Sequence, residues 1–110
     1  MLSKILINLH REGPERVGFI RGDEIIEVVN TSHNPEMSFQ VSTEDIIKHA
    51  DASQASWHTH PYGDANLSSE DHIAFRNWPE LRHYIIGTDG VRCYQYDKVR
   101  KEVVEIQQVD

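Results

Sequence analysis

The sequence predicts an α+β fold, a mixed sheet flanked by helices in one domain. Helical spacings and strand-like alternation follow one another along the chain instead of segregating into halves. Turn residues separate pairs of short apolar runs, as hairpins require. The length, 110 residues, suits one hydrophobic core and not two, so residues 1–110 are read as a single domain.

Each element has its own signal. Leu2, Ile5, Leu6 and Leu9 share a face at helical spacing, and Gly13-Pro14 stops that helix. Val17 and Phe19 alternate with Arg16 and Gly18 in an expected strand from Glu15 to Ile20. The Arg21-Gly22-Asp23 turn leads to a second strand, Glu24 to Val29, and the two form a hairpin. The polar segment from Asn30 to Glu36 contains Pro35 and reads as a loop; Met37 to Val41 reads as a short strand. Ser42 with Asp45 three residues later marks a helix start, running to Ala50. Ala55 to His60 is a strand ended by Pro61. Ser68-Ser69-Glu70-Asp71 opens a third helix, which reaches Asn77 and stops at Pro79. Leu81 to Ile86 and Val91 to Tyr96 form a hairpin around Thr88-Asp89-Gly90, and Glu102 to Gln107 is the last strand.

Composition narrows the function classes. Eleven Lys+Arg against 18 Asp+Glu give a net charge of −7, which leaves no basic surplus for a nucleic-acid backbone or an anionic membrane face. No apolar run approaches a membrane span or a signal peptide, so a cytoplasmic protein is expected. The one cysteine, Cys93, excludes internal disulfides and cysteine-based zinc sites, and is expected as a small buried side chain.

The chemistry concentrates in Trp57-His58-Thr59-His60-Pro61 and Ser68-Ser69-Glu70-Asp71. Residues two apart on a strand face the same side, so His58 and His60 point together. Two imidazoles on one face can converge on a zinc ion, and Asp71, in the first turn of the next helix, can return to that face as a third ligand. Such a site leaves a fourth position for a water, whose pKa the ion draws towards ~7. His-x-His alone carries little information in a chain with seven histidines; Pro61, Ser68 and Asp71 in their places add the specificity. The competing reading has Ser68 and Asp71 only capping a helix.

His58-Thr59-His60-Pro61, six residues, then Ser68-x-x-Asp71 resembles the signature of the JAMM (MPN+) zinc metallopeptidases. Upstream, Pro14-Glu15-Arg16-Val17-Gly18-Phe19-Ile20 is similar to the family's opening strand, and the Asn30…Pro35…Phe39 loop and the His83–Tyr96 strand pair also match. The resemblance spans about Leu2 to Tyr96. It implies an MPN/JAMM-like domain with a curved sheet, and a zinc-dependent isopeptidase or endopeptidase. His58, His60 and Asp71 match the zinc ligands, Glu15 the general base, and Ser68 the residue that stabilises the oxyanion. The Ser68 hydroxyl then has two candidate tasks, capping and catalysis. The long insertions of the eukaryotic deubiquitinases are absent. The chain is closer to compact prokaryotic and phage members, which act on ubiquitin-like sulfur carriers or belong to phage tail-assembly proteins. The expected partner is a protein or peptide substrate with a flexible, Gly-containing tail, which a sheet edge beside the zinc would accept as an added strand.

Several residues compete for these roles. Glu12 is the rival base, at the end of the first helix. Asp64 is a rival ligand but sits in a Gly-containing loop, where a turn role is the default. His10, His33, His49, His72 and His83 lack ligand spacing and are expected as ordinary histidines. Trp57 alternates with His58 and so belongs to the opposite core; Tyr62 and Gly63 lie where substrate contacts are common. A cupin would need a Gly before the histidine pair and a Glu shortly after; Ala52 and Asp64 stand instead. The remaining alternative is an inactive MPN-type interaction module, although such relatives usually lack a ligand and all five matched positions are present here.

Overall fold

Alternation along the strands gives the sheet two apolar faces, and each is covered by helices. The structure, a computed structural model, describes residues 2–107, so Met1 and residues 108–110 of the expected domain lie outside the described residues. The strands are β1 (Val17–Arg21), β2 (Glu24–Val28), β3 (Ala55–Thr59), β4 (Arg82–Gly87), β5 (Gly90–Asp97) and β6 (Glu102–Ile106). The helices are α1 (Leu2–Leu6), α2 (Thr43–His49) and α3 (Ser69–Asn77), with a 3-10 turn over Ile7–Leu9. The strands form one six-stranded sheet in the order β2-β1-β3-β4-β5-β6. β3 and β4 are parallel, joined across α3, and every other pair is antiparallel. This is the expected single-domain α+β class with a mixed sheet.

One face buries Ile20, Trp57, Tyr84, Ile86 and Cys93 under Leu6 of α1. The other buries Phe19 beside Ala50 and Leu81, and Ile85 beside Phe75 of α3 and Tyr94. Trp57 and Cys93 are thus core residues, as their strand positions predict. Among the described residues no helix is long and apolar enough to cross a membrane.

Three details depart from the sequence reading. The first helix turns 3-10 at Ile7 and ends by Leu9, well before Gly13. His10 is already extended, and the Arg11 guanidinium donates to the carbonyls of Asn8 and His10; a continued helix would use the first for the Glu12 amide, and Pro14 has no N–H for the second. Met37 to Val41 is not a strand: the amides of Met37 and Ser38 both donate to the Asn34 carbonyl, closing a turn that uses the donors a ladder needs. Finally, no free sheet edge lies beside His58. β3 is flanked by β1 and β4, and the edges are β2 and β6.

Candidate metal centre

His58 lies inside β3, on the face covered by α2 and α3. His60 follows the strand end, but the backbone stays extended because the Thr59 amide donates to the Arg16 carbonyl (2.9 Å) and the His60 amide to that of Ile86 (2.8 Å). Both imidazoles therefore point to the same side. Asp71 is delivered by a capping box. The Ser68 hydroxyl accepts from the Asp71 amide (3.1 Å), and the Asp71 carboxylate accepts from the Ser68 amide (3.0 Å). The cap fixes the carboxylate against both rings, with Oδ1 3.0 Å from His58 Nε2 and Oδ2 3.2 Å from His60 Nε2. The two Nε2 atoms are themselves 3.2 Å apart.

Glu15 joins them. It precedes β1 by two residues, is buried, and has a carboxylate oxygen within 4.8 Å of ligand atoms of His58 and His60. The structure thus brings Glu15, His58, His60, Asp71 and Ser68 together at one end of the sheet. Glu12 is exposed. The Asp64 side chain faces the Asn66 amide in a turn, and it is the Asp64 carbonyl that serves the site. Tyr62 is exposed, its hydroxyl accepting from the Gly13 amide.

The donor set fits a metal ion. His60 Nδ1 lies 2.7 Å from the Asp64 carbonyl; a carbonyl only accepts, so Nδ1 carries the proton and the lone pair of the neutral ring is on Nε2. That lone pair faces His58 Nε2 and a carboxylate oxygen. Electron-rich atoms brought this close need a shared proton or a cation between them. Two imidazole nitrogens and a carboxylate suit a first-row divalent ion such as zinc.

The electrostatics follow from burial and proximity. Burial, the largest influence on Glu15, raises its pKa from 4.5 to about 7; Asp71 and Glu70 add to the rise and His60 opposes it. Burial also acts to raise the pKa of Asp71, but His58, His60 and the Ser68 amide outweigh it and hold this carboxyl far below the usual range. For His60, burial favours the neutral ring, yet the Asp71 carboxylate and the Asp64 carbonyl prevail and raise its pKa.

Around this centre lies a supporting layer; sequence reasoning singled out the Asn30…Pro35…Phe39 loop but assigned its residues no role. Asn30 is its hub. Its amide nitrogen donates to the carbonyls of Glu15 (2.9 Å), Ser38 (3.0 Å) and Pro35 (3.4 Å), and its oxygen accepts from the amides of Ser32 and Gln40. The Glu15 amide donates to Pro35 (2.6 Å). The 30–40 loop therefore grips the backbone of Glu15 on both sides. It also lays Phe39 against His58, with ring centroids 4.5 Å apart. Asn30→Ala strips the donor from these carbonyls and is expected to cost about 1–3 kcal/mol, measured by urea unfolding, together with faster hydrogen exchange at the Glu15 amide.

Gly87 has a related role. A Cβ there would meet the Ala65 nitrogen at 2.3 Å and the Asp64 carbonyl carbon at 2.4 Å, so only glycine lets the segment that orients His60 rest on β4. His83 was expected to be ordinary, but it is buried in the layer under α3, stacked on Phe75 at 4.0 Å. Its Nε2–H donates to the Trp78 carbonyl, leaving Nδ1 to accept from the Ser56 hydroxyl at 2.6 Å. Burial pushes its pKa down to about 4. Its place opposite Ser56 follows from the β3–β4 register, which sequence spacing does not reveal.

No family model and no curated protein matches the chain. Among solved structures, it is similar to the solution structure of protein DSY2949 from Desulfitobacterium hafniense, with a TM-score of 0.60, 19% identity, and coverage of 96% of this chain and 86% of that one. At that identity the likeness concerns the fold alone.

Proposed function

We propose that this protein is a zinc-dependent metallopeptidase of the JAMM (MPN+) kind, a hydrolase that cuts a peptide or isopeptide bond in a protein substrate. The observation that carries the reading is the convergence of His58, His60 and Asp71 within 3.2 Å of one another, with a buried carboxylate, Glu15, beside them. His58, His60 and Asp71 would hold the metal. When bound, zinc supplies an acidified water and polarises the scissile carbonyl.

The chain's own residues supply the rest. Glu15 takes a proton from the attacking water and returns it to the leaving amine. Burial raises the pKa of Glu15 in the metal-free fold, and a bound cation would draw it back towards the carboxylate form that accepts a proton. Ser68 reconciles its two candidate tasks. Capping uses an acceptor lone pair of its hydroxyl, and the hydroxyl proton is the part an oxyanion needs. Phe39 and Phe75 enclose His58, which limits water around the donors and strengthens their electrostatics.

The test is metal analysis of protein purified without added zinc, followed by a cleavage assay on a peptide library. Zinc near one ion per chain, with cleavage lost on chelation and restored by zinc, is expected. Bound zinc with no cleavage of any peptide or ubiquitin-like substrate would favour the interaction module instead. Absence of zinc binding would overturn the metal reading altogether.

A further inference from the structure

We infer that the groove between α2 and α3 is the substrate subsite of this centre, and that it takes an apolar side chain, of Leu, Ile, Met or Phe size, next to the scissile bond. The inference deepens the peptidase reading and rests on it. The groove encloses about 680 Å³. Its floor is the helix-covered face of β1 and β3; Phe39 and Ile46 line one wall, Ile73 and Trp78 the other. His58 belongs both to this floor and to the converging donors, so the groove adjoins the centre at that residue. On this proposal a chain whose carbonyl lies at the centre places its neighbouring side chain in the groove.

Chemistry selects the occupant. Apart from the imidazoles of His58 and His83, Glu70 is the single ionisable group in the lining. It stands exposed in the first turn of α3, so it guards the rim and not the floor. A charged side chain pushed into the groove would lose its water without gaining a buried partner, whereas an apolar one gains by leaving water. Ile73 is 64% exposed on the wall of this groove, whose lining also includes the half-buried Phe39, Ile46 and Trp78.

Sheet topology supplies an independent argument. A substrate held by strand addition needs a free edge, and β3 has none because β1 and β4 flank it. The substrate main chain cannot pair beside His58. With strand addition to β3 closed, side-chain burial is the proposed hold on the segment, and glycine has no side chain to bury.

Two measurements test this. Zinc-loaded protein is incubated with a proteome-derived peptide library, and cut sites are read by mass spectrometry. One fixed position beside the cut is expected to be enriched in Leu, Ile, Met or Phe. Separately, metal-free Glu15→Gln protein is titrated by NMR with a capped hexapeptide carrying one Leu among glycines and with its all-Gly analogue, following the Trp78 indole and Ile73 methyl signals. The Leu peptide is expected to bind about tenfold more tightly, the order that burying most of such a side chain gives. Ile73→Asp, a change at an exposed position, should remove that preference. Equal binding of the two peptides, or cut sites enriched in Gly, would overturn the inference. Leu-selective binding at the groove with no cleavage by any preparation would uphold the peptide subsite and sink the peptidase reading.

Discussion

His60→Ala is expected to purify folded and almost free of zinc, and the parent with about one ion per chain, because on the proposed assignment a three-ligand site cut to two holds metal poorly. His58→Ala should lose zinc equally. It also empties a packed position between Phe39 and Phe75, so its melting temperature should fall as well. His60 is less enclosed, with 14% of its side chain exposed, and it separates metal loss from packing loss. Asp71→Ala removes a ligand and half of the α3 capping box, adding about 0.5–2 kcal/mol of lost stability. Plasma mass spectrometry and thermal unfolding on the same samples decide the matter. Full zinc in His60→Ala would show that the ligand assignment is wrong.

The pKa shifts give this centre a pH signature in the metal-free protein. The pKa of His60 is raised in the folded state, so its stabilising contribution is present below about 6.5 and is lost as pH rises through the folded value. The pKa of Glu15 is also raised, from 4.5 to about 7; ionising it costs more in the fold than in the unfolded chain, and that cost grows from about pH 4.5 and is complete above 7. The pKa of Asp71 is lowered; its contribution is present above 3.8 and is lost only in stronger acid. The first two shifts thus act in one direction between pH 5.5 and 8 and the third is constant there. His83, whose pKa burial pushes down to about 4, acts the other way below about 6.5, because the unfolded chain takes up that proton and the fold does not. The melting temperature of the metal-free protein should therefore fall from about pH 6.5 to 8. Zinc, which competes with protons for His60, should stabilise more at pH 8 than at pH 5.5. Differential scanning fluorimetry with and without zinc reads both trends; a zinc effect larger at pH 5.5 would contradict this assignment.

What the sequence made legible was whatever depends on local spacing. His58 and His60 fall on one side because strand alternation is rigid, and Asp71 arrives because Ser68-x-x-Asp71 is a capping pattern whose geometry places its own carboxylate. These constraints span a few residues each, so the pattern of donors is legible locally, while their meeting depends on how α3 packs on β3. Helix and strand boundaries fared less well where side chains compete for backbone groups. Arg11 ended the first helix early, and the Asn34 turn consumed the amides expected to build a strand at Met37 to Val41. The supporting layer was hidden for a different reason. Asn30, Gly87 and the Asp64 carbonyl act across the fold, on Glu15, on the 64–65 segment and on His60. Nothing in their neighbouring residues records those partners. The missing sheet edge beside His58 is likewise a matter of strand order, which spacing along one strand cannot express.

Glu15→Gln should lower turnover by about 10²–10⁴-fold, the usual cost of removing a general base, while zinc stays near the parent level. Glutamine keeps the shape and can still hydrogen-bond, but it accepts no proton at working pH. Because Glu15 lies within 4.8 Å of both imidazoles while Asp71 is in direct contact with them, the substitution also tests which carboxylate is ligand and which is base. A base can be neutralised without losing metal; a ligand cannot. The second readout is stability. Burial makes the ionised Glu15 carboxylate unfavourable in the metal-free fold, so the neutral amide should raise the metal-free melting temperature at pH 8, with a gain that shrinks as pH falls towards 4.5. Asn30→Ala then provides a control in the same assay. If the Asn30 clamp matters to turnover by holding Glu15 in place, adding Asn30→Ala to Glu15→Gln should cost little further activity, since residues that act as one unit are not additive. A double variant that loses the full effect of both would separate Asn30 from the base. Zinc lost together with activity in Glu15→Gln would make Glu15 a fourth ligand, and undiminished turnover would remove it from the mechanism.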